Sequence, residues 1–220
     1  MKQLLLGINY QFDADGNRDI LHPDECPTKL LEQLMCFLRP ALHEFVQSVM
    51  QSEAGVKFKI LPASQTHHHN FEGGLLAHSL ECALMAGQTA FTWLSQSEAE
   101  LTLVAALLHD IGKCRTYEIK GGYSMLGQHV RHESVTLEIL APHLEVLNKS
   151  WADGANLLRV MLTEDKQYSR FPEFPGCLLI KSADHFSTAT NRRNSLFSAR
   201  PNFHYFAYDK QYKQKYLRNI

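Results

Sequence analysis

The sequence contains no Cys-x-x-Cys pair. Its five cysteines, at 26, 36, 82, 114 and 177, are odd in number, so neither a disulfide framework nor a cysteine-rich zinc site is indicated, and a reducing compartment is expected. Charge of either sign is not in excess: 22 Lys and Arg stand against 23 Asp and Glu, for a formal net charge of −1. That balance argues against a protein held to nucleic acid by overall charge alone, although a local basic surface would be hidden in the total. The N-terminal MKQLLLGINYQFDADGNRD has an apolar run of only about five residues, too short for a signal-peptide core or a membrane span, and a cytoplasmic location is expected. Internal repeats and low-complexity tracts are missing too. What remains is a globular composition, 45% hydrophobic and 20% charged, in 220 residues that can bury a substantial core.

Histidine is the exception. Twelve are present, and several crowd into THHHN at 66–70 and GQHVRH at 127–132.

Apolar spacing predicts mostly helices. Residues 1–27 read as a loop-rich lead with one short β-like run. Residues 28–51 carry leucine, phenylalanine and valine at helical spacing, with Thr28 as a cap and Pro40 dividing the run. The stretch VKFKILPAS, 56–64, is extended in character and stopped by Pro62. Helices follow from Gly74 through the next twenty residues and over 97–110, where Ser97 and Glu100 have the spacing of a capping box. Further helices are expected at 129–140, ending before Pro142, and at 152–163 and 176–190. The expected architecture is all-α with a small β hairpin. It divides into a lead segment and helix (1–55), a main domain (56–190) and a basic, aromatic C-terminal extension (191–220).

The chemistry concentrates in LVAALLHDIGK, 103–113, where His109 and Asp110 end an apolar run. A buried carboxylate is costly unless something compensates it, and a cation would. His78 and Asp184 stand on other apolar helices, and two imidazoles with two carboxylates suit a divalent ion such as Mn, Fe, Co or Ni, or Mg. Neighbouring helical residues point about 100° apart, so His109 and Asp110 can share an ion only at the helix end.

The stretches HHHNFEGGLLAHSL, LLHDIGK and KSAD resemble the successive motifs of the HD superfamily of metal-dependent phosphohydrolases. LPAS followed by HHH and GGLLAHSLE is similar to the HD domain of MobH or TraI-type conjugative relaxases. HHNFxGGL with LLHDIGK is similar to HD-domain 3′-to-5′ exoribonucleases. The resemblance covers about 60–190 and implies an all-helical fold. It further implies His78, His109, Asp110 and Asp184 as ligands of a divalent metal, one ion or two. Lys113 falls where the family's motif lysine approaches substrate phosphate, although a lysine there also reads as a solvated helix-end charge. His129 matches a further family histidine that serves a second metal or the substrate. Where the exonuclease-like members show paired histidines, this chain has Glu164 and Asp165, either of which offers a carboxylate instead.

Among His67, His68 and His69, exposed imidazoles are one reading. The other places His68 and His69 in the pocket near Gly73 and Gly74, whose N–H groups at a helix start would receive phosphate. His132 reads as a surface residue.

The reaction implied is hydrolysis of a phosphate ester by a metal-activated water, as a phosphodiesterase, nuclease or phosphatase. Falling pH from about 8 to 5 should impair it by protonating the imidazoles. Arg192, Arg193 and Arg200, in a segment that interleaves cations with aromatic rings, suit a single nucleic-acid strand. The same segment also reads as an amphipathic tail that packs its rings on the domain. The expected substrate is a nucleotide or single-stranded nucleic acid. The alternatives are a DNA-processing relaxase-like module, with no evident second domain, and a noncatalytic metal-containing binding domain. No membrane partner is expected, and the oligomeric state is open.

Overall fold

The computed structural model describes residues 26–65, 69–163, 171–198 and 200–218. Two apolar helices, α4 (Gly74–Trp93) and α5 (Gln96–Leu108), form its centre. Every residue of α5 from Ala99 to Leu108 is buried, because a helix with no polar face has to be enclosed on all sides. Only Leu94 and Ser95 separate the two helices, so they run antiparallel as neighbours. At Gly87 a Cβ would stand 2.9 Å from Leu103 Cδ1, so glycine permits their close approach.

The other helices wrap this pair. α9 (Gly176–Ser198) lies on both α4 and α5, and α8 (Ala152–Thr163) links α5 to α7 (His132–Ser150). α2 (Pro40–Gln51) packs on α7, and α1 (Pro27–Met35) reaches α4. Leu34, Leu42, Phe58, Leu76, Leu107, Leu144 and Ile180 belong to one continuous core. The strands among the described residues, β1 (Phe206–Asp209) and β2 (Gln214–Leu217), form an antiparallel hairpin, so the architecture is all-α with a small hairpin. Among the described residues no helix is long and apolar enough to cross a membrane.

Several local expectations are corrected. Pro27, at the first position, opens α1 and places Thr28 inside the first turn rather than at the cap. Ser52 accepts the Gly55 N–H and starts a helix, α3 (Glu53–Phe58), where 56–64 reads as extended. Ser95, not Ser97, caps α5, accepting the Glu98 N–H at 3.2 Å. Glu100 is instead buried and accepts from Arg39 Nε at 2.9 Å and from the Arg39 backbone N–H at 3.1 Å. A carboxylate withdrawn from water needs those charged and dipolar donors more than a helix end needs its cap. Pro142 does not stop α7, which continues to Ser150 because Leu140, Leu144 and Leu147 are all buried around it. α9 runs past 190 to Ser198. The divisions expected at 55/56 and 190/191 therefore both fall inside helices.

The hairpin is fastened to α9. Arg192 Nε pairs with Asp209, and its guanidinium lies 3.9 Å from the Tyr212 ring centroid. Arg218 donates to the carbonyls of Arg200, Pro201 and His204. The short connection after α5 is fixed by a second close approach, since a Cβ on Gly112 would fall 1.9 Å from the His132 carbonyl oxygen.

Gly112→Ala is therefore expected to lower stability by about 1–3 kcal/mol, the usual cost of overpacking, measured by urea unfolding. The Arg192 pairing depresses the Asp209 carboxyl to about 2. Its contribution to docking is present above the ordinary carboxyl value and is lost as pH falls through about 2. The protection factor of the Ala207 amide against exchange should fall between about pH 4 and pH 2 while that of the helical core is retained.

Candidate metal centre

α5 ends at Leu108, and its C-terminal cap is His109. The chain then turns, with the Ile111 N–H bonded to the Leu108 carbonyl and the Lys113 N–H to the Asp110 carbonyl, and re-enters a helix at α6 (Lys113–Thr116). His109 and Asp110 thus lie beyond the last residue of α5, where side chains from a turn can face the same point. His78 reaches that point from the buried second turn of α4 and Asp184 from α9.

The donor atoms converge. His78 Nε2 lies 3.3 Å from Asp184 Oδ1 and 3.7 Å from Asp110 Oδ2; His109 Nε2 lies 3.5 Å from Asp110 Oδ2 and 3.8 Å from Asp184 Oδ1. Donors each about 2.1 Å from one ion stand about 3.0 Å apart at right angles and about 3.4 Å apart at tetrahedral angles. The observed separations, 3.3–3.8 Å, overlap the upper end of that range and extend slightly beyond it.

The ring nitrogens not facing the cluster are tied down. His109 Nδ1 is 2.7 Å from the Ala106 carbonyl, so it carries the proton and Nε2 bears the lone pair. That Nε2 is buried and has no hydrogen-bond partner among the described residues. His78 Nδ1 is 3.1 Å from Ser187 Oγ, which donates onward to Glu81 Oε2 at 2.7 Å. The hydroxyl's own proton is committed to Glu81, so His78 Nδ1 donates to it and Nε2 is again left as an acceptor. Glu81 Oε1 meets His69 Nε2 at 3.0 Å, and Asn191 Nδ2 approaches the same nitrogen at 3.3 Å. Such outer partners orient metal-binding imidazoles and raise their basicity.

Charge follows the same geometry. Burial opposes ionisation of Asp110, yet Lys113, His109 and His132 overcome it and hold the carboxyl well below the usual range. Lys113 Nζ is 2.6 Å from Asp110 Oδ2, and His132 Nε2 is 2.9 Å from Oδ1. Burial likewise opposes charge on Asp184, and its contacts with His109 and His78 lower its pKa. Burial keeps the pKa of His78 low, whereas at His109 the carboxylates of Asp110 and Asp184 outweigh burial and raise it. Two ionised carboxylates beside two imidazoles form a site whose remaining negative charge a divalent cation would offset. The fit rests on the orphaned Nε2 of His109 and on this nitrogen and oxygen donor set. Cys82 Sγ also lies 3.8 Å from His78 Nε2, but burial pushes its thiol pKa well up, so it behaves as a small apolar neighbour.

The remaining expected residues are placed as follows. His129 lines a cleft of about 460 Å³ with Tyr117, Tyr123, Arg131 and His132. His132 joins that cleft to Asp110, so the surface reading of this histidine is corrected: it caps the carboxylate from the first turn of α7. Lys113 is neither a solvated charge nor turned to the cleft, because it is buried and bonded to Asp110 and to the Ala63 carbonyl at 2.8 Å. Gly73 adopts a left-handed φ of 80°, and the N–H groups of Gly73, Gly74 and Leu75 donate to Ile60, Phe71 and Leu61. They are committed to the loop, which corrects their expected role in receiving phosphate. His69 is buried in the Glu81 network. His67, His68, Glu164 and Asp165 lie outside the described residues. Arg192 is committed to Asp209, Arg200 Nε bonds the Leu196 carbonyl, and Arg193 is half-buried on α9. Glu81, Ser187 and Asn191 escape sequence reasoning, although Glu81 stands one helical turn from His78.

The HD domain family model matches residues 75–189. A second model, TraI_2 ("Putative helicase"), matches residues 28–120. The 220 residues contain no GxxxxGK[S/T] loop, so that description brings no ATPase motif to this sequence. Ribonuclease Y from Chloroflexus aurantiacus is 34% identical over 76 residues, which is 32% of this chain and 14% of that protein. No solved structure matches. The HD model spans more than half of the chain and covers the helices that bring His78, His109, Asp110 and Asp184 together, so the protein belongs to the HD domain family.

Proposed function

We propose that this protein is a metal-dependent phosphohydrolase, with His78, His109, Asp110 and Asp184 as the metal ligands and a nucleotide or single-stranded nucleic acid as substrate. The observation that carries the reading is the buried Nε2 of His109, aimed at two carboxylates with its partner nitrogen already bonded to Ala106. A divalent cation supplies positive charge that lowers the pKa of water and offsets charge developing on phosphoryl oxygens. The residues of the chain do the rest. Lys113 and His132 hold the two oxygens of Asp110, and the Glu81–Ser187 pair holds His78 in the tautomer that presents Nε2. The cleft beside His132 would admit the ester, and His129 in its wall would give a proton to the leaving oxygen. The name of the ribonuclease relative supports a phosphodiester within nucleic acid over a phosphomonoester.

The test is a metal titration after chelation, followed by turnover of bis(p-nitrophenyl) phosphate and of labelled RNA and DNA strands. Asp110→Ala should lose stoichiometric metal and at least about 100-fold in turnover, as loss of metal activation implies. Tight metal binding by the wild type with no turnover of any ester would instead establish the noncatalytic reading. Ser187→Ala should weaken metal affinity about 10–100-fold, the range for outer partners of metal-binding histidines, without unfolding the protein. Calorimetric titration with Mn and Ni checks it.

A further inference from the structure

The hairpin reverses the arrangement expected of an amphipathic tail. A tail that packs its rings on the domain would bury aromatic side chains and expose small and charged ones. Here Ala207 and Asp209 are the buried residues of β1, while the alternating Phe206 and Tyr208 are more than half exposed, at 57% and 52%. Across the strands Phe206 pairs with Leu217 and Tyr208 with Lys215, and directly paired residues share a face. The outward face therefore presents two aromatic rings, Leu217 and a lysine. Lys215 Nζ lies 4.6 Å from the Phe206 ring centroid, so the charge is offered together with the ring.

We propose that this outward face is a docking platform for single-stranded nucleic acid, separate from the metal cluster. Charge selects the occupant. Between residues 200 and 218 the acid present is Asp209, which Arg192 already neutralises, while Lys210, Lys213 and Lys215 add positive charge along the hairpin. An unbalanced basic surface with exposed rings suits a polyanion whose bases are free to stack, and a duplex keeps its bases stacked on one another. Rigidity supports the reading as well: the Arg192–Asp209 pair and the Arg218 bonds hold the rings in place before a strand arrives, which reduces the ordering cost of binding. Arg192, the anchor of the hairpin, follows Asp184 on the same helix by eight residues, roughly 12 Å at 1.5 Å per residue along its axis. The surface expected from Arg192, Arg193 and Arg200 is thus replaced by one built from Phe206, Tyr208 and Lys215, with Arg192 as its anchor.

The test uses the full chain and a fluorescent, cleavage-resistant phosphorothioate strand of about twelve thymidines, a length within the range of single-strand binding sites, read by anisotropy. The wild type should bind this strand in preference to a duplex of equal length, and binding should fall with added salt. Phe206→Ala and Tyr208→Ala should each weaken it about tenfold, and Tyr208→Phe should restore it. Lys215→Ala should reduce the slope of log affinity against log salt by about 0.7. Circular dichroism and thermal unfolding should match the wild type in every variant, as should turnover of bis(p-nitrophenyl) phosphate, which is too small to need the platform. Equal binding of duplex, no binding by the wild type, or undiminished binding by the combined Phe206→Ala and Tyr208→Ala variant would overturn the proposal. Hairpin-dependent strand binding without any ester turnover would sustain it while removing the catalytic reading.

Discussion

A carboxylate that has left water must be answered by positive charge or by donors, and Asp110 is the place where this protein meets that demand most acutely. Its side chain is almost sealed, and one oxygen takes the Lys113 ammonium while the other takes His132. Those two partners come from different elements, the start of α6 and the first turn of α7. Satisfying a single carboxylate therefore fixes where α7 begins relative to α5, and Gly112 leaves just enough room for that approach. The imidazoles of His78 and His109 approach the same carboxylate at its Oδ2 oxygen and share its need for charge.

The same logic organises the layer behind the cluster. Glu81 is a second buried carboxylate, and His69 and Ser187 answer it. Because Ser187 sits on α9 and also accepts from His78 on α4, the pairing of these two helices and the tautomer of a metal-facing histidine are one constraint. A polar network of this kind is costly when incomplete, so it favours a single arrangement of the helices that carry it. Asp184 and Asn191 belong to the same helix and approach the same region. The helix that brings Asp184 to the histidine and aspartate cluster goes on to carry the hairpin, through Arg192 and Asp209, so one element holds both.

Much of this was readable from residue order. The apolar run ending in His109 and Asp110 signals a buried helix with polar residues at its end, whose compensation the sequence leaves open. Pro40 marks the break between α1 and α2, because proline fixes its own φ and lacks a donor. Other features were illegible for definite reasons. Ser95 and Ser97 offer equivalent caps in sequence, and the choice between them depends on Arg39 reaching Glu100 from another helix. Pro142 reads as a stop, yet its helix persists because buried leucines on both sides outweigh one missing hydrogen bond. His129 and His132 look alike along the chain, and only the close packing of α7 on Gly112 separates a cleft wall from a partner of Asp110.

The sequence by itself determined that the chain is helical, that its polar exceptions are histidines and acids placed within apolar helices, and that those residue types suit a divalent cation. These follow from periodicity and from the energetic cost of burying charge, both of which are local properties. Only the tertiary structure decided which carboxylate each imidazole faces, that Lys113 turns inward to Asp110, and that the C-terminal rings point outward. Those outcomes depend on distances between elements far apart in the chain, and residue order leaves such distances free until packing closes them.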